Sequence, residues 1–159
     1  MDNLKQGDKA PDFDLTDQHG RRVRLSDFKG RKLLVYFFPK AGTSGCTAQA
    51  RAASNAGAEL SSLDVSVVGI SPDPAPALKK FDEKESLGFP LLSDEDCQIA
   101  RAYCVWGEKN MYGKKFMGVI RSSFLVGENG RIRRSWYKIS PRDTIPKAMR
   151  EIKSARIDS

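Results

Sequence analysis

The chain has few cysteines, a single histidine and no long apolar run. Three cysteines, Cys46, Cys97 and Cys104, stand among 159 residues. They are odd in number and widely spaced, which argues against a disulfide framework and fits a reducing compartment. No Cys-x-x-Cys pair occurs, so dithiol exchange at one site is not expected. The only histidine, His19, sits beside Gly20 with no cysteine or carboxylate cluster around it. Neither a metal site nor Cys–His catalysis is expected there. No apolar stretch approaches the roughly 20 residues of a membrane span. The first residues, Met1-Asp-Asn-Leu-Lys-Gln-Gly-Asp8, lack the apolar core of a signal peptide. A cytoplasmic protein with no membrane partner is the expectation. Internal repeats, low-complexity tracts and linkers are missing too, so one domain over 1–159 is expected, large enough for a hydrophobic core.

Positive charge is in excess, at +7 from 27 basic and 20 acidic side chains. The bases cluster at Arg21-Arg22, between Lys29 and Lys32, and at Arg131-Ile-Arg133-Arg134. A solvated surface explains them. Weak, nonspecific attraction to nucleic acid or acidic membranes is the rival reading, but no nucleic-acid motif or aromatic-rich basic strand accompanies it.

Apolar periodicity gives the elements. Residues 12–15 and 22–25 alternate around Gln18-His-Gly20, which predicts an N-terminal β-hairpin. Leu33–Phe38 is nearly all apolar and reads as a strand buried on both faces. From Cys46 to about Leu63 one helix is expected, with Ala48, Ala52, Ala56, Leu60 and Leu63 as its apolar stripe. Val65–Ile70 is a second buried strand, completing a βαβ unit with parallel strands. A helix from Ser71-Pro to about Leu87 should turn Leu78 and Phe81 inward. Phe89–Leu92 reads as a short strand. Ser93-Asp-Glu-Asp96 should cap a third helix carrying Cys97 and Cys104. Ser122–Val126 and Ile132–Tyr137 flank Gly127-Glu-Asn-Gly130 and predict a second hairpin. A closing helix runs from Arg142 to about Ile157. The fold class is α/β: a thioredoxin-like fold with a central mixed β-sheet flanked by helices, plus the N-terminal β-hairpin.

The chemistry concentrates in Pro39-Lys-Ala-Gly-Thr43-Ser-Gly-Cys46. The cysteine falls in the first turn of a helix, at the end of a buried strand. Unpaired backbone N–H groups and the positive end of the helix dipole face its sulfur, which favours a thiolate. Thr43 stands where a second cysteine would make a dithiol. One thiolate beside one hydroxyl suits reaction with a small oxidant. Without its context, Cys46 would read as an inert buried thiol, Thr43 as a helix cap and Arg121 as a surface charge.

Pro39-x-x-x-Thr43-x-x-Cys46 resembles the active-site motif of the peroxiredoxins. Other segments resemble their bacterioferritin comigratory protein, or Q-type, branch: Gly7-Asp-Lys-Ala-Pro-Asp-Phe13, Leu25-Ser-Asp-Phe-Lys-Gly30, Val68-Gly-Ile-Ser-Pro-Asp73, Phe89-Pro-Leu-Leu-Ser-Asp94, Met111-Tyr-Gly-Lys114 and Gly118-Val-Ile-Arg-Ser-Ser-Phe124. The similarity spans about 7–150. It implies a peroxidase that needs no cofactor, acting on hydrogen peroxide or alkyl hydroperoxides. Cys46 would be the attacking thiolate and pass through a sulfenic acid. Arg121 would stabilise charge on sulfur and oxygen. Thr43 would bond the sulfur and a peroxide oxygen, and Pro39 would shield the thiolate. The N–H groups of Cys46 and Gly45 would hold the peroxide, and Gln49 would position Arg121.

The chain departs from the branch at the resolving cysteine. One usual position holds Arg51, and the other, near Phe81-Asp82, has no cysteine. Cys97 and Cys104, seven residues apart on the expected helix, would lie about 10 Å apart along its axis. A disulfide needs Cα atoms within about 7 Å, so these two should not pair. Both read as packing residues; Cys97, in an exposed acidic turn, is the better candidate if either resolves Cys46. The expectation is a one-cysteine peroxidase recycled by glutathione, a thioredoxin or a glutaredoxin, with a resolving Cys97 or Cys104 as the alternative. A monomer is expected, a weak dimer being the alternative. Rival functions are a thiol–disulfide oxidoreductase, a DNA-binding or DNA-protecting protein, and a redox sensor.

Overall fold

In the computed structural model, residues 3–157 are described. Seven strands form one mixed sheet in the order β2-β1-β5-β4-β3-β8-β9. In chain order they are β1 (Asp14–Asp17), β2 (Arg22–Arg24), β3 (Lys32–Phe37), β4 (Val65–Ser71), β5 (Leu91–Ser93), β8 (Ser122–Val126) and β9 (Ile132–Trp136). Strands β3, β4 and β5 run parallel, whereas β1 and β8 pair antiparallel to their neighbours. The βαβ unit therefore forms the middle of the sheet and the two predicted hairpins form its flanks.

Alternation along β3 divides the core. Leu34, Tyr36 and Phe38 join one buried cluster with Cys46, Ala50, Ala53, Leu78, Phe81, Ile145, Ala148 and Ile152. That face is covered by α1 (Ser44–Asn55), α2 (Gly57–Ser62), α3 (Ala75–Glu85) and α5 (Thr144–Ile157). Leu33, Val35 and Phe37 face a second cluster with Ala10, Phe13, Cys97, Ala100, Tyr103 and Phe124. The N-terminal segment and α4 (Gln98–Ala102) cover that side. Leu34 is fully buried, so Leu34→Ala would cost about 2–5 kcal/mol in lost transfer and cavity.

Three expectations need correction. The helix after Cys46 is not continuous. It breaks at Ala56-Gly57 into α1 and α2, where glycine weakens helical propensity. Its buried face is Cys46, Gln49, Ala50, Ala53 and Leu60, while Ala48 is exposed and Ala52, Ala56 and Leu63 are half-buried. The helix expected to carry two cysteines has only five residues, and both cysteines lie outside it. Cys97 and Cys104 each adopt a left-handed backbone, at φ 58° and 62°, which ends helical continuation at both points. Cys97 is buried, not exposed; Cys104 is half-buried. Asp94 caps this helix by accepting N–H bonds from Ile99 and Ala100 at 3.1 and 2.9 Å.

An unpredicted element lies between α4 and β8. Strands β6 (Trp106–Met111) and β7 (Lys114–Val119) form a separate antiparallel hairpin. Its two-residue turn, Tyr112-Gly113, has φ of 54° and 80°, the double positive φ of a type I′ turn. Tyrosine is uncommon at the first of these positions, which hid the signal. Met111, Tyr112, Phe116 and Met117, the large exposed apolar side chains among the described residues, all belong to this arm.

Candidate active site

Strand β3 delivers the chain to a loop, Pro39 to Thr43, that turns directly into α1. Gly42 supplies a positive φ of 85° in that loop, a conformation costly for other residues. Asp73 holds the loop from outside: its Oδ2 accepts from Ala41 N and from Ser71 Oγ, both at 2.8 Å. Pro39 is half-buried where the strand ends. Thr43 occupies the N-cap position but makes no side-chain cap. Its hydroxyl donates to the Lys40 carbonyl at 2.9 Å, while Thr47 N and Oγ1 donate to the Thr43 carbonyl. In this structure that hydroxyl braces the loop.

Cys46 lies in the first turn of α1 and is 1 % exposed. The helix amides and dipole there favour negative charge. Arg121 arrives from the short connection between β7 and β8, and its Nη2 stands 3.4 Å from Cys46 Sγ. Ile139 N donates to the Arg121 carbonyl at 2.9 Å, fixing the backbone below the guanidinium. The other guanidinium nitrogen, Nη1, donates to Gln49 Oε1 at 2.5 Å. Gln49, one turn after Cys46 and fully buried, donates in turn to Thr144 Oγ1 at 2.9 Å. Gly45 is packed against the same group: a Cβ added there would meet Arg121 Nη2 and Pro141 Cγ, each at 3.3 Å. The structure thus brings Cys46, Arg121, Gln49 and Gly45 together.

Sequence reasoning missed Asp73 and Thr144 as site residues, and also Lys109. Lys109, on β6, donates to the Val119 carbonyl at 2.9 Å and lies over the Phe116 ring. Burial, with the Arg121 charge second, holds its ammonium below the usual lysine range, and the Cys46 sulfur opposes that shift. A second cation therefore senses the site. Tyr36, beneath Cys46 in the core, has its phenol pushed up by burial first and by the Cys46 charge second. It stays neutral.

Cys97 is not brought to this site. Cys97 belongs to the cluster on the opposite face of the sheet from Cys46. Burial, and the Asp94 charge after it, pushes the Cys97 thiol up, which makes it a poor nucleophile. Arg51, one of the positions that the resemblance assigns to a resolving cysteine, contacts Glu85 of α3 at 2.6 Å. Arg51 is exposed in this pair, whereas the Glu85 side chain is only 5 % exposed.

Three comparisons bear on these features. The model of the AhpC/TSA family matches residues 6–135. Peroxiredoxin Bcp of Escherichia coli strain K12 is 50% identical over 132 residues, 83% of this chain and 85% of that one. Peroxiredoxin Bcp of Bacillus subtilis strain 168 is 40% identical over 150 residues, 94% of this chain and 96% of that one. Among solved structures, the Xanthomonas campestris bacterioferritin comigratory protein, described for its alkyl peroxide reduction activity, superposes with a TM-score of 0.85 at 30% identity, covering 90% of this chain and 91% of that one. A mutant of peroxiredoxin Q from Xylella fastidiosa gives a TM-score of 0.92 at 26% identity, covering 98% and 99%. The thioredoxin-like fold is common to them and to this chain.

Proposed function

The chain belongs to the AhpC/TSA family and is a thiol-dependent peroxidase of the peroxiredoxin type, and on that premise we propose that Cys46 is its attacking sulfur in a one-cysteine cycle. The observation that carries this reading is the Arg121 guanidinium 3.4 Å from Cys46 Sγ at the start of α1. The thiolate attacks the nearer oxygen of the peroxide. An S–O bond forms as the O–O bond breaks, and the leaving oxygen departs as water or an alcohol after taking a proton. Sulfur loses two electrons and becomes a sulfenic acid. Charge spreads over sulfur and both oxygens in the transition state, and the fixed guanidinium stabilises it without reorganising. The Cys46 and Gly45 amides hold the peroxide in line, Pro39 keeps water from the thiolate, and Thr43 sets the loop.

An external thiol then attacks the sulfenic sulfur, giving a mixed disulfide and water. A second thiol releases the reduced enzyme. Glutathione, a thioredoxin or a glutaredoxin fits that role. The placement of Cys97 across the sheet, and of Arg51 where a resolving cysteine would stand, supports the external step over an internal disulfide. The substrates are hydrogen peroxide and alkyl hydroperoxides, the latter in keeping with the Xanthomonas relative. A monomer in a reducing cytoplasm fits three cysteines that form no disulfide. Among the described residues no helix is long and apolar enough to cross a membrane.

Intact mass under denaturing, non-reducing conditions tests the cycle. After one equivalent of hydrogen peroxide, the mass should rise by one or two oxygens, or by a thiol adduct when a small thiol is present. Cys46→Ser should abolish both the change and peroxide consumption, whereas Cys97→Ser and Cys104→Ser should keep them. A loss of two hydrogens would overturn the one-cysteine cycle.

A further inference from the structure

The hydrogen-bond chain that begins at the sulfur does not end at Gln49. Gln49 Nε2 donates to Thr144 Oγ1 at 2.9 Å, and Thr144 Oγ1 donates to the Ser140 carbonyl at 3.0 Å. Gln49 and Thr144 are both fully buried. The polarity of the chain is set from its far end. A carbonyl only accepts, so the hydroxyl of Thr144 gives its single proton to Ser140. It can then offer only a lone pair to Gln49. The amide must present its nitrogen to Thr144, and its oxygen is thereby turned toward Arg121. The reversed amide would set its NH2 against guanidinium donors in a place sealed from water, leaving donors without acceptors.

Thr144 needs no help from Gln49 for its own helix, because the bond to Ser140 already completes the hydroxyl as a donor. Gln49, conversely, gains little as a packing residue. An apolar side chain would fill the space between α1 and α5 with no partner to find. A buried neutral amide is warranted there by the guanidinium within its reach. We propose that Thr144 is a positioning residue of the peroxidase: its hydroxyl holds the Gln49 amide in the one orientation that aims Arg121 at the Cys46 sulfur. The proposal rests on the reading of Cys46 and Arg121 as the reacting pair. It makes the first residue of the C-terminal helix part of a site 95 residues upstream.

The test follows Cys46 oxidation by hydrogen peroxide in rapid-quench experiments read by intact mass, on folded protein well below its melting temperature. Thr144→Val should slow oxidation about tenfold, while Thr144→Ser, which keeps the hydroxyl, should stay within about twofold. Alkylation of Cys46 by iodoacetamide, which does not need the in-line guanidinium, should fall less than oxidation does. In a Gln49→Met background, Thr144→Val should add no further slowing, since the intermediary is already gone. A purely structural role would lower the melting temperature and leave these ratios unmoved. Wild-type oxidation in Thr144→Val, equal losses in the Val and Ser variants, or undiminished slowing in the Gln49→Met background would each overturn the proposal. Should the Val variant not fold, Thr144→Ala carries the same expectations. Arg121→Gln is the separate control: if it oxidises at the wild-type rate, the reading of Arg121 itself fails.

Discussion

At the residue scale, the site depends on atoms that are small or missing. Gly45 has no side chain where a methyl group would press on Arg121 Nη2 and Pro141 Cγ at 3.3 Å. That guanidinium is held by Gln49 and cannot yield without leaving the sulfur. Gly45→Ala should therefore slow Cys46 oxidation severalfold with little loss of melting temperature; an unchanged oxidation rate would show that Arg121 has room to move. The meeting of Arg121 with Cys46 was legible because each stands in a recognisable local motif. Asp73, Lys109 and Thr144 were not, because ordinary residues acquire roles there only when distant segments meet. The Gln49–Thr144 bond crosses 95 positions, and no local spacing encodes it. For Thr43 the motif named the residue, but the partner its hydroxyl takes in this structure, the Lys40 carbonyl, depends on the loop's own shape.

Elements were readable where apolar periodicity was strong and hidden where turn chemistry decided. The runs at Leu33–Phe38 and Val65–Ile70 became the parallel centre of the sheet, since only burial on both faces accommodates them. The β6–β7 hairpin was missed because its solvent-facing strands carry no clear alternation and its turn uses Tyr112 at a positive φ. Left-handed backbone at Cys97 and Cys104 likewise cut short a helix that its acidic cap had suggested. The N-terminal hairpin carries its own pH dependence. Asp14 accepts from Arg22 Nε at 3.0 Å and from Arg24 Nε at 3.2 Å. The Arg22 bond is the main cause that lowers the Asp14 carboxyl, partial burial opposes it, and the charges of Arg22 and Arg24 add to the lowering. A folded-state value below the unfolded one means stabilisation above the ordinary carboxylate range, lost as pH falls through the folded value. Wild type and Asp14→Asn should therefore differ in melting temperature near neutrality and converge in acid. A gap independent of pH would exclude the carboxylate as its source.

On the scale of the whole molecule, the sheet acts as a partition. The α/β class and the parallel pairing of β3 with β4 followed from the sequence because a βαβ unit leaves few alternatives. Which face each cysteine occupies did not, since it depends on register and on how the chain returns after α4. Cys46 and Cys97 are thereby kept in separate layers. The depth of Cys46, at 1 % exposure, has a further consequence for the timing of turnover. A peroxide is small enough to reach that sulfur in the closed protein, but the cysteine of a folded reductant is not. Reduction by a protein must wait for the first turn of α1 to move aside, and the apparent rate is scaled by the fraction of molecules in which it has done so. Oxidation should remain proportional to peroxide concentration, whereas reduction by a protein thiol should level off at the opening rate as that protein is raised. Strict proportionality in both half-reactions would mean the sulfur is more accessible than this structure makes it. Substitutions that firm up α1 should then lengthen the life of the sulfenic acid and leave its formation untouched, so over-oxidation under excess peroxide would track helix stability.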